Sequence, residues 1–330
     1  MNQATPAADA LPARIRAAGI PVDHRGLAPH ASGADNEVLA ARTTEVRDLI
    51  VKVPRRPAHR YGTAAWAAAA LAECGVPAPR VLWHGAWDGG AACVETRCPG
   101  IALTGTPGRL DTAGTVISEH VRQAARHAGS LLRRVHAVTV SGYGQLTEDG
   151  TGPHPSLEGS VLPGLAARPD AGPAGGLAAC ARQLVAGNLW RLRDPGPHLL
   201  LGDCAARHIF HDPGTGQVTG FIDLESARGG DPLADLAGFS VREHPGLTRA
   251  LLEGYFPGGA TGDQAWALTL HRARIAAHLM AFHLARGEYQ PAGHLAGVLT
   301  ADLHAISTET PAVMPSQPPS SHLTQPSSQP

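Results

Sequence analysis

The sequence predicts an α+β chain in two lobes, the first small and rich in β-structure, the second mostly helical. Three observations carry this. Up to residue 97 the apolar residues run in short strand-length stretches interrupted by turn formers; beyond about residue 111 they recur at helical spacing; and Cys98-Pro99-Gly100 breaks the chain between the two regimes. The expected boundaries are 1–97 for the N-lobe, 98–307 for the C-lobe and 308–330 for a tail.

Residues 11–19 (LPARIRAAG) predict a short helix closed by Gly19. ASGADNEVLAART and DLIVKVP predict two strands joined around Glu45 to Asp48, the second carrying Lys52 among Leu49, Ile50, Val51 and Val53. An alanine-rich helix follows over 61–74, ended by Gly75 and kept from continuing by Pro77 and Pro79. RVLWHGAWDGGAACVETR predicts a second hairpin, turning at Asp88-Gly89-Gly90. In the C-lobe, Ile117, Val121, Ala124, Ala128, Leu131, Leu132 and Val135 mark a long helix from about Asp111 to His136. Residues 146–175, rich in Gly, Pro and charge, predict a loop, and 176–193 a helix. HIFHD and VTGFIDL predict paired strands around Pro213 to Gly216, after which LTRALLEGYF, Asp263 to Arg286 and Ala292 to Ser307 predict three helices. From Thr308 onward the chain is proline-rich and poor in apolar residues, which predicts disorder.

With 43% hydrophobic residues over 330 positions there is enough apolar material for one large or two modest cores. The 27 basic and 28 acidic residues leave a formal charge of -1, which gives no electrostatic footprint for nucleic acid or an anionic membrane and points to small partners. Five cysteines, odd in number and without a CxxC pair, argue against a disulfide framework and a structural zinc site. Together with an N-terminus lacking a basic-then-apolar signal pattern, this predicts a soluble cytoplasmic protein.

The segment HLLLGDCAARHIFHDPGTGQVTGFIDLESARGGDPLADLAGF, residues 198–239, concentrates the chemistry. LLLGD is an apolar run ending in a carboxylate, Asp203, and VTGFIDL ends in a second, Asp223. Two carboxylates on neighbouring strand ends suit one base and one divalent-metal ligand. Lys52 is the only lysine among the 27 basic residues and is followed by Val53, so a Walker A loop and a Ser-x-x-Lys hydrolase are both excluded. A compact ammonium in an apolar strand suits phosphate oxygens, where the planar arginine fork would not fit. Cys204, beside Asp203 and near His208, has no visible oxyanion loop and does not make a thiol hydrolase. His271 and His278 share a helical face seven residues apart, without a nearby carboxylate ligand, and read as ordinary helix histidines.

Gly202-Asp203, Ile222-Asp223, Gly230-Asp231-Pro232 and Asp235-Leu236-Ala237, in that order, resemble the catalytic segment of the aminoglycoside phosphotransferase family, relatives of choline kinase and the protein kinases. GADNEV at 33–38 is similar to the family's nucleotide-covering hairpin, IVKV to its phosphate-lysine strand, GVPAPRVL to its helix-to-strand connection, VETRCPG to its hinge, and RRVHAVTVSGYGQL to the helix end and loop before the catalytic segment. Roughly residues 30–305 are covered.

The resemblance implies a bilobal protein-kinase-like fold and an ATP-dependent (or GTP-dependent) O-phosphotransferase with an alcohol group as acceptor. It implies Asp203 as the residue that accepts or orients the acceptor proton, and Asp223 as a ligand of magnesium. It implies Lys52 and Asn36 as nucleotide contacts, and Glu95, Thr96 and Arg97 as the hinge that meets the base through backbone groups. Asp231 and Asp235 are expected to cap the following helix and fix the loop.

There are three departures. Leu201 stands where the family has histidine. His208 stands where it has the asparagine that ligates the second metal, so His208 is expected as a metal ligand with which manganese serves at least as well as magnesium. Ala64, or Thr63, stands where a helix glutamate partners the lysine, so Lys52 is expected to lack its ion pair. From Arg242 to Glu309 six acidic residues (243, 253, 263, 288, 302, 309) face five arginines (242, 249, 272, 274, 286), a nearly neutral balance that suits a less cationic antibiotic or natural product at least as well as an aminoglycoside. The alternative reading, from another class, is a nucleotide-binding pseudokinase with a regulatory or structural role.

Overall fold

The structure is a computed structural model that describes residues 7–23, 27–32, 35–43, 48–56, 59–87, 90–104, 117–166, 173–192 and 196–309. The 44–47 connection, the Asp88-Gly89 turn, the 111–116 start of the long helix and the tail from 310 lie outside the described residues.

The first half is one antiparallel sheet with two helices. Helix α1 (Ala7–Ala17) precedes β1 (Ala28–Ser32), β2 (Asn36–Arg42) and β3 (Asp48–Pro54); α2 (Tyr61–Glu73) leads to β4 (Val81–Trp87) and β5 (Gly90–Thr96). The strand order is β1-β2-β3-β5-β4, so β3 is central and Lys52 pairs with Val38 on one side and Cys93 on the other. A central strand covered on both faces is apolar without alternation, which is why Leu49, Ile50 and Val51 are all buried. Leu11 and Ile15 of α1 cover one face against Val51, Ala92 and Val94. β1 was not foreseen in the sequence, whose APHAS has no apolar alternation.

The second half is mostly helical, with two small three-stranded sheets. In chain order it contains β6 (Ile101–Ala102), α3 (Glu119–Val135), β7 (Gly144–Gln145), α4 (Leu157–Ala166), α5 (Pro173–Asn188), β8 (His198–Leu200), β9 (Ile209–His211), β10 (Val218–Phe221), β11 (Arg228–Gly230), α6 (Leu233–Ser240), α7 (Pro245–Tyr255), α8 (Gly262–Ala285) and α9 (Tyr289–Glu309). The sheets run β10-β9-β6 and β7-β11-β8. The loop expected over 146–175 is corrected: it contains α4 and the start of α5, because Leu157 and Val161, one helical turn apart, bury against Ala178, Ala181 and Val185. Gly and Pro content masks so short a periodicity.

Two apolar clusters hold this half. One joins α3, α7 and the small sheets to α2, whose Ala64, Ala67 and Leu71 belong to it; the other joins α4, α5, α8 and α9. The α3–α7 contact is close enough that a Cβ at Gly254 would overlap the Arg126 carbonyl oxygen. Among the described residues no helix is long and apolar enough to cross a membrane.

Candidate active site

β8 delivers the chain to Gly202 and Asp203, and the register of β8 on β11 fixes the height of that turn. Gly202 takes φ +78°, and a Cβ there would overlap the Ser226 carbonyl oxygen, so this position requires glycine. The Leu201 and Gly202 amides donate to the two oxygens of Asp235 at 2.6 and 2.9 Å. Asp235 is buried and also accepts from His136 Nε2 at 3.3 Å, whose Nδ1 meets the Tyr255 hydroxyl at 3.0 Å. The Asp235 carboxylate can only accept, so Nε2 carries the imidazole's proton and Nδ1 accepts from the Tyr255 hydroxyl. Support for the loop therefore comes from Asp235 and His136, and the Leu201 side chain joins the main core. Asp231 plays the helix-capping part, accepting the Leu233 amide at 2.9 Å. Its other oxygen accepts from His271 Nε2 at 3.0 Å, which corrects the reading of His271 as a histidine without a carboxylate neighbour.

Asp203 is clasped by two arginines, Arg207 Nη2 at 2.8 Å and Arg242 Nη2 at 3.3 Å. Asp223 follows β10, which belongs to a different small sheet from β8, so the two carboxylates converge across a sheet boundary. At φ +64° Asp223 is the only non-glycine residue with positive φ among the described residues, a strain of the kind held at working sites.

His208 lies between them. Its Nδ1 is 3.0 Å from the Asp203 carbonyl oxygen, which can only accept, so the proton sits on Nδ1 and the Nε2 lone pair faces Asp223 Oδ2 at 3.4 Å. Burial pulls the His208 pKa down, against the opposing pull of Asp223 and Asp203. Asp203, His208 and Asp223 each offer a ligand atom within 4.8 Å of the others, and two carboxylates with one neutral imidazole form a donor set that fits a divalent cation.

Above this cluster is Lys52. The expectation that it lacks an ion pair is corrected: its ammonium lies 3.3 Å from Glu95 Oε1, 3.6 Å from Asp223 Oδ1 and 3.7 Å from Glu225 Oε1. Burial works against the charged lysine, but these carboxylates outweigh it and its pKa is raised. Burial would raise Asp223 too, yet the Lys52 ammonium holds it below the usual carboxylate value. Glu225, pushed up to about 6 by burial against the pull of Lys52, also accepts from Asn36 Nδ2 at 2.9 Å. Asn36 in turn accepts from the Tyr61 hydroxyl at 2.9 Å. On α2, Thr63 donates to the Leu146 carbonyl oxygen at 2.9 Å and Ala64 is buried, so neither reaches Lys52.

The sequence-derived residues thus converge, with Glu95 in a different part from the one expected. Its carboxylate turns inward to Lys52, while the neighbouring amides are occupied: Thr96 donates to the Arg80 oxygen at 2.9 Å and Arg97 to the Asp48 oxygen at 3.1 Å. Sequence reasoning missed Glu225, Arg207 and Arg242. The first two had a signal, since Glu225 is two residues beyond Asp223 and Arg207 four beyond Asp203. Arg242 had none.

The cluster forms one wall of a cleft of about 1630 Å³ that also touches Val38 and Ile50 above and Val161, Ile275 and Phe282 below. Single small-molecule pockets run from about 300 to 1,000 Å³, so this cleft has room for two ligands side by side. A β-rich lobe holding a buried lysine over a carboxylate–histidine cluster on the helical lobe is the architecture of a protein-kinase-like phosphotransferase. The profile of the phosphotransferase enzyme family matches residues 26–274, and the chain belongs to that family.

Among solved structures it is similar to a thermostable variant of the aminoglycoside phosphotransferase APH(4)-Ia in ternary complex with ADP and hygromycin B (18% identity, 88% of this chain and 97% of that one, TM-score 0.68). It is also similar to the macrolide 2'-phosphotransferase MphH from Brachybacterium faecium (21%, 88% and 97%, TM-score 0.56). A third relative in fold is a variant of aminoglycoside 2'-phosphotransferase-IIIa in complex with GDP (15%, 85% and 92%, TM-score 0.60). At these identities the likeness is one of fold. No curated protein matches the chain in sequence.

Proposed function

We propose that the protein transfers the γ-phosphoryl group of ATP, or of GTP, to a hydroxyl of a small molecule, an antibiotic or related natural product, and so serves in resistance or biosynthesis. The observation that carries the reading is the 3.6 Å approach of Lys52 to Asp223, which brings a phosphate-binding cation onto the Asp203–His208–Asp223 cluster. Residues 1–97 are then the nucleotide lobe and 98–307 the catalytic and acceptor lobe, working in the cytoplasm, in keeping with five free cysteines.

In this reading Lys52 holds phosphate oxygens and Asn36 braces the covering hairpin through Glu225 and Tyr61. With Thr96 and Arg97 amides engaged in the sheet, the nucleotide base meets the backbone at the end of this stretch, around Cys98. Asp223 and His208 hold magnesium or manganese, which neutralises charge on the transferring phosphate when bound. Asp203, oriented by Arg207 and Arg242, accepts the proton of the acceptor hydroxyl.

The test is a nucleotide-consumption screen with ATP and GTP against a panel of antibiotics and related hydroxylated molecules, with mass detection of an added phosphoryl group. Asp203→Asn should abolish turnover while leaving nucleotide affinity largely intact. Nucleotide binding without product on any acceptor, with either metal, would transfer the protein to the pseudokinase reading.

A further inference from the structure

Two arginines stand out among the cleft's partly buried ones. Arg207 and Arg242 each pair with a carboxylate. Arg228 on β11 and Arg274 on α8 both line the cleft, and neither forms an ion pair among the described residues. The Nε of Arg274 is buried without a hydrogen-bond partner. The carboxylates that act on them are committed elsewhere, Asp235 to the Leu201 and Gly202 amides and His136, Asp231 to His271 and the Leu233 amide. Burial and the charge of Arg228 push Arg274 down to about 10, and burial with the charge of Arg60, a further cleft residue, pushes Arg228 down as well.

Both side chains are half-buried, and a guanidinium partly withdrawn from water without a counter-charge is unfavourable, the more so in the field of another cation. Planar forks are suited to binding carboxylate, sulfate or phosphate in a bidentate way. The register supplies the location: Arg228 pairs with Leu200, three residues before Asp203, so Arg228 lies on the acceptor side of the cleft that Arg274 also lines.

We propose that Arg228 and Arg274 form an anion subsite, and that the molecule phosphorylated carries an oxyanion group, a carboxylate, sulfate or phosphate, in addition to its hydroxyl. This rests on the phosphotransferase reading and narrows it. A polycationic acceptor would be repelled here, whereas an acidic sugar, a hydroxy acid or an acidic natural product would relieve the repulsion between the arginines.

The subsite is tested without turnover. Protein, first free of nucleotide and then saturated with ADP and magnesium, is titrated with sulfate, phosphate and acetate against chloride at constant ionic strength, and melting temperature and heat of binding are followed. At least one oxyanion should raise the melting temperature saturably, and the three anions distinguish a tetrahedral group from a carboxylate. Arg228→Gln and Arg274→Gln should each weaken that anion's binding by about tenfold or more, the loss of one charge-assisted pair, with Arg228→Lys retaining part of it. Should Arg274→Gln fail to fold, Arg228→Gln decides alone.

The proposal is overturned if no oxyanion shifts the melting temperature beyond chloride, if the shift persists in the variants, or if it disappears once ADP is saturating, which would assign the arginines to nucleotide phosphates. A protein that phosphorylates acceptors but fails these titrations loses only the subsite. One that binds oxyanions but phosphorylates nothing keeps the anion subsite and loses the phosphotransferase reading, and with it the statement about the acceptor.

Discussion

Glu95→Gln and Lys52→Met should differ sharply, although each removes one end of the same 3.3 Å ion pair. Both side chains are only 8% exposed, and Lys52 has two further carboxylates, Asp223 at 3.6 Å and Glu225 at 3.7 Å. At an effective dielectric near 20, contacts of this length have a gross attraction of about 4 to 5 kcal/mol each, most of it offset by desolvation. Lys52→Met leaves three carboxylates without a cation and should cost about 3–5 kcal/mol, the usual result of stripping one partner from a buried pair. Glu95→Gln loses one charge-assisted hydrogen bond, but it also removes a carboxyl whose burial already disfavours its charged form, and the ammonium keeps its other partners. Its net cost should be about 1 kcal/mol. Urea unfolding of the nucleotide-free protein measures both. The ATP KM of Glu95→Gln should rise by about tenfold, because the ammonium is drawn toward Asp223 and Glu225 and away from the phosphates. If Glu95→Gln destabilises as much as Lys52→Met, the idea that three carboxylates share one lysine is wrong.

The other predictions concern the loop, the second carboxylate shell and the metal. Gly202→Ala must place a side chain at φ +78° against the Ser226 carbonyl, costing about 1–2 kcal/mol for the backbone alone, and should lower kcat far more than it changes ATP KM; wild-type turnover would show that the position of Asp203 is not set by this turn. Burial would raise the Asp231 pKa, but the His271 hydrogen bond outweighs it and holds the carboxyl below its ordinary value. Its contribution to stability is therefore present above the unfolded value near 4 and is lost as pH falls through the folded value. The stability gap between wild type and Asp231→Asn, measured by urea unfolding from pH 7 to 3, should narrow toward acid, and a widening gap refutes the assignment. His208→Asn replaces an imidazole by a hard amide oxygen and should shift the ratio of manganese- to magnesium-supported rates toward magnesium; equal ratios in both proteins would mean His208 holds no metal.

Most of the fold was legible because its elements are long and punctuated. The strands at 36–42 and 48–54, the alanine-rich helix at 61–73 and the helices at 245–255, 262–285 and 289–309 lie close to where periodicity and glycine or proline stops place them. What was not legible is short or set by tertiary contacts. β1 exists only because β2 offers it an edge, and α4 only because α5 and its neighbours cover Leu157 and Val161. The site divides in the same way. Asp203, Asp223 and Lys52 stand in motifs whose chemistry could be read in one dimension. Arg242 reaches Asp203 from beyond α6, and Glu95 reaches Lys52 from another strand; no spacing along the chain encodes either contact.

The position of Glu95 also explains why α2 can be so poor in charge. Lys52 pairs with Cys93 across β3 and β5, and Glu95, two residues further along β5, projects from the same face as Cys93, so the ion pair is a diagonal contact between neighbouring strands. A carboxylate on α2 is then unnecessary, and Ala64 and Ala67 let the helix approach the core closely where a glutamate would have to be buried. The dynamic consequence follows from the ladder. A helix can shift against a sheet and carry its carboxylate away from a lysine, whereas two hydrogen-bonded strands cannot separate Lys52 from Glu95 without breaking the sheet itself. The pairing of Lys52 with Glu95 is therefore set by the sheet, and movement of α2 alone would leave it intact.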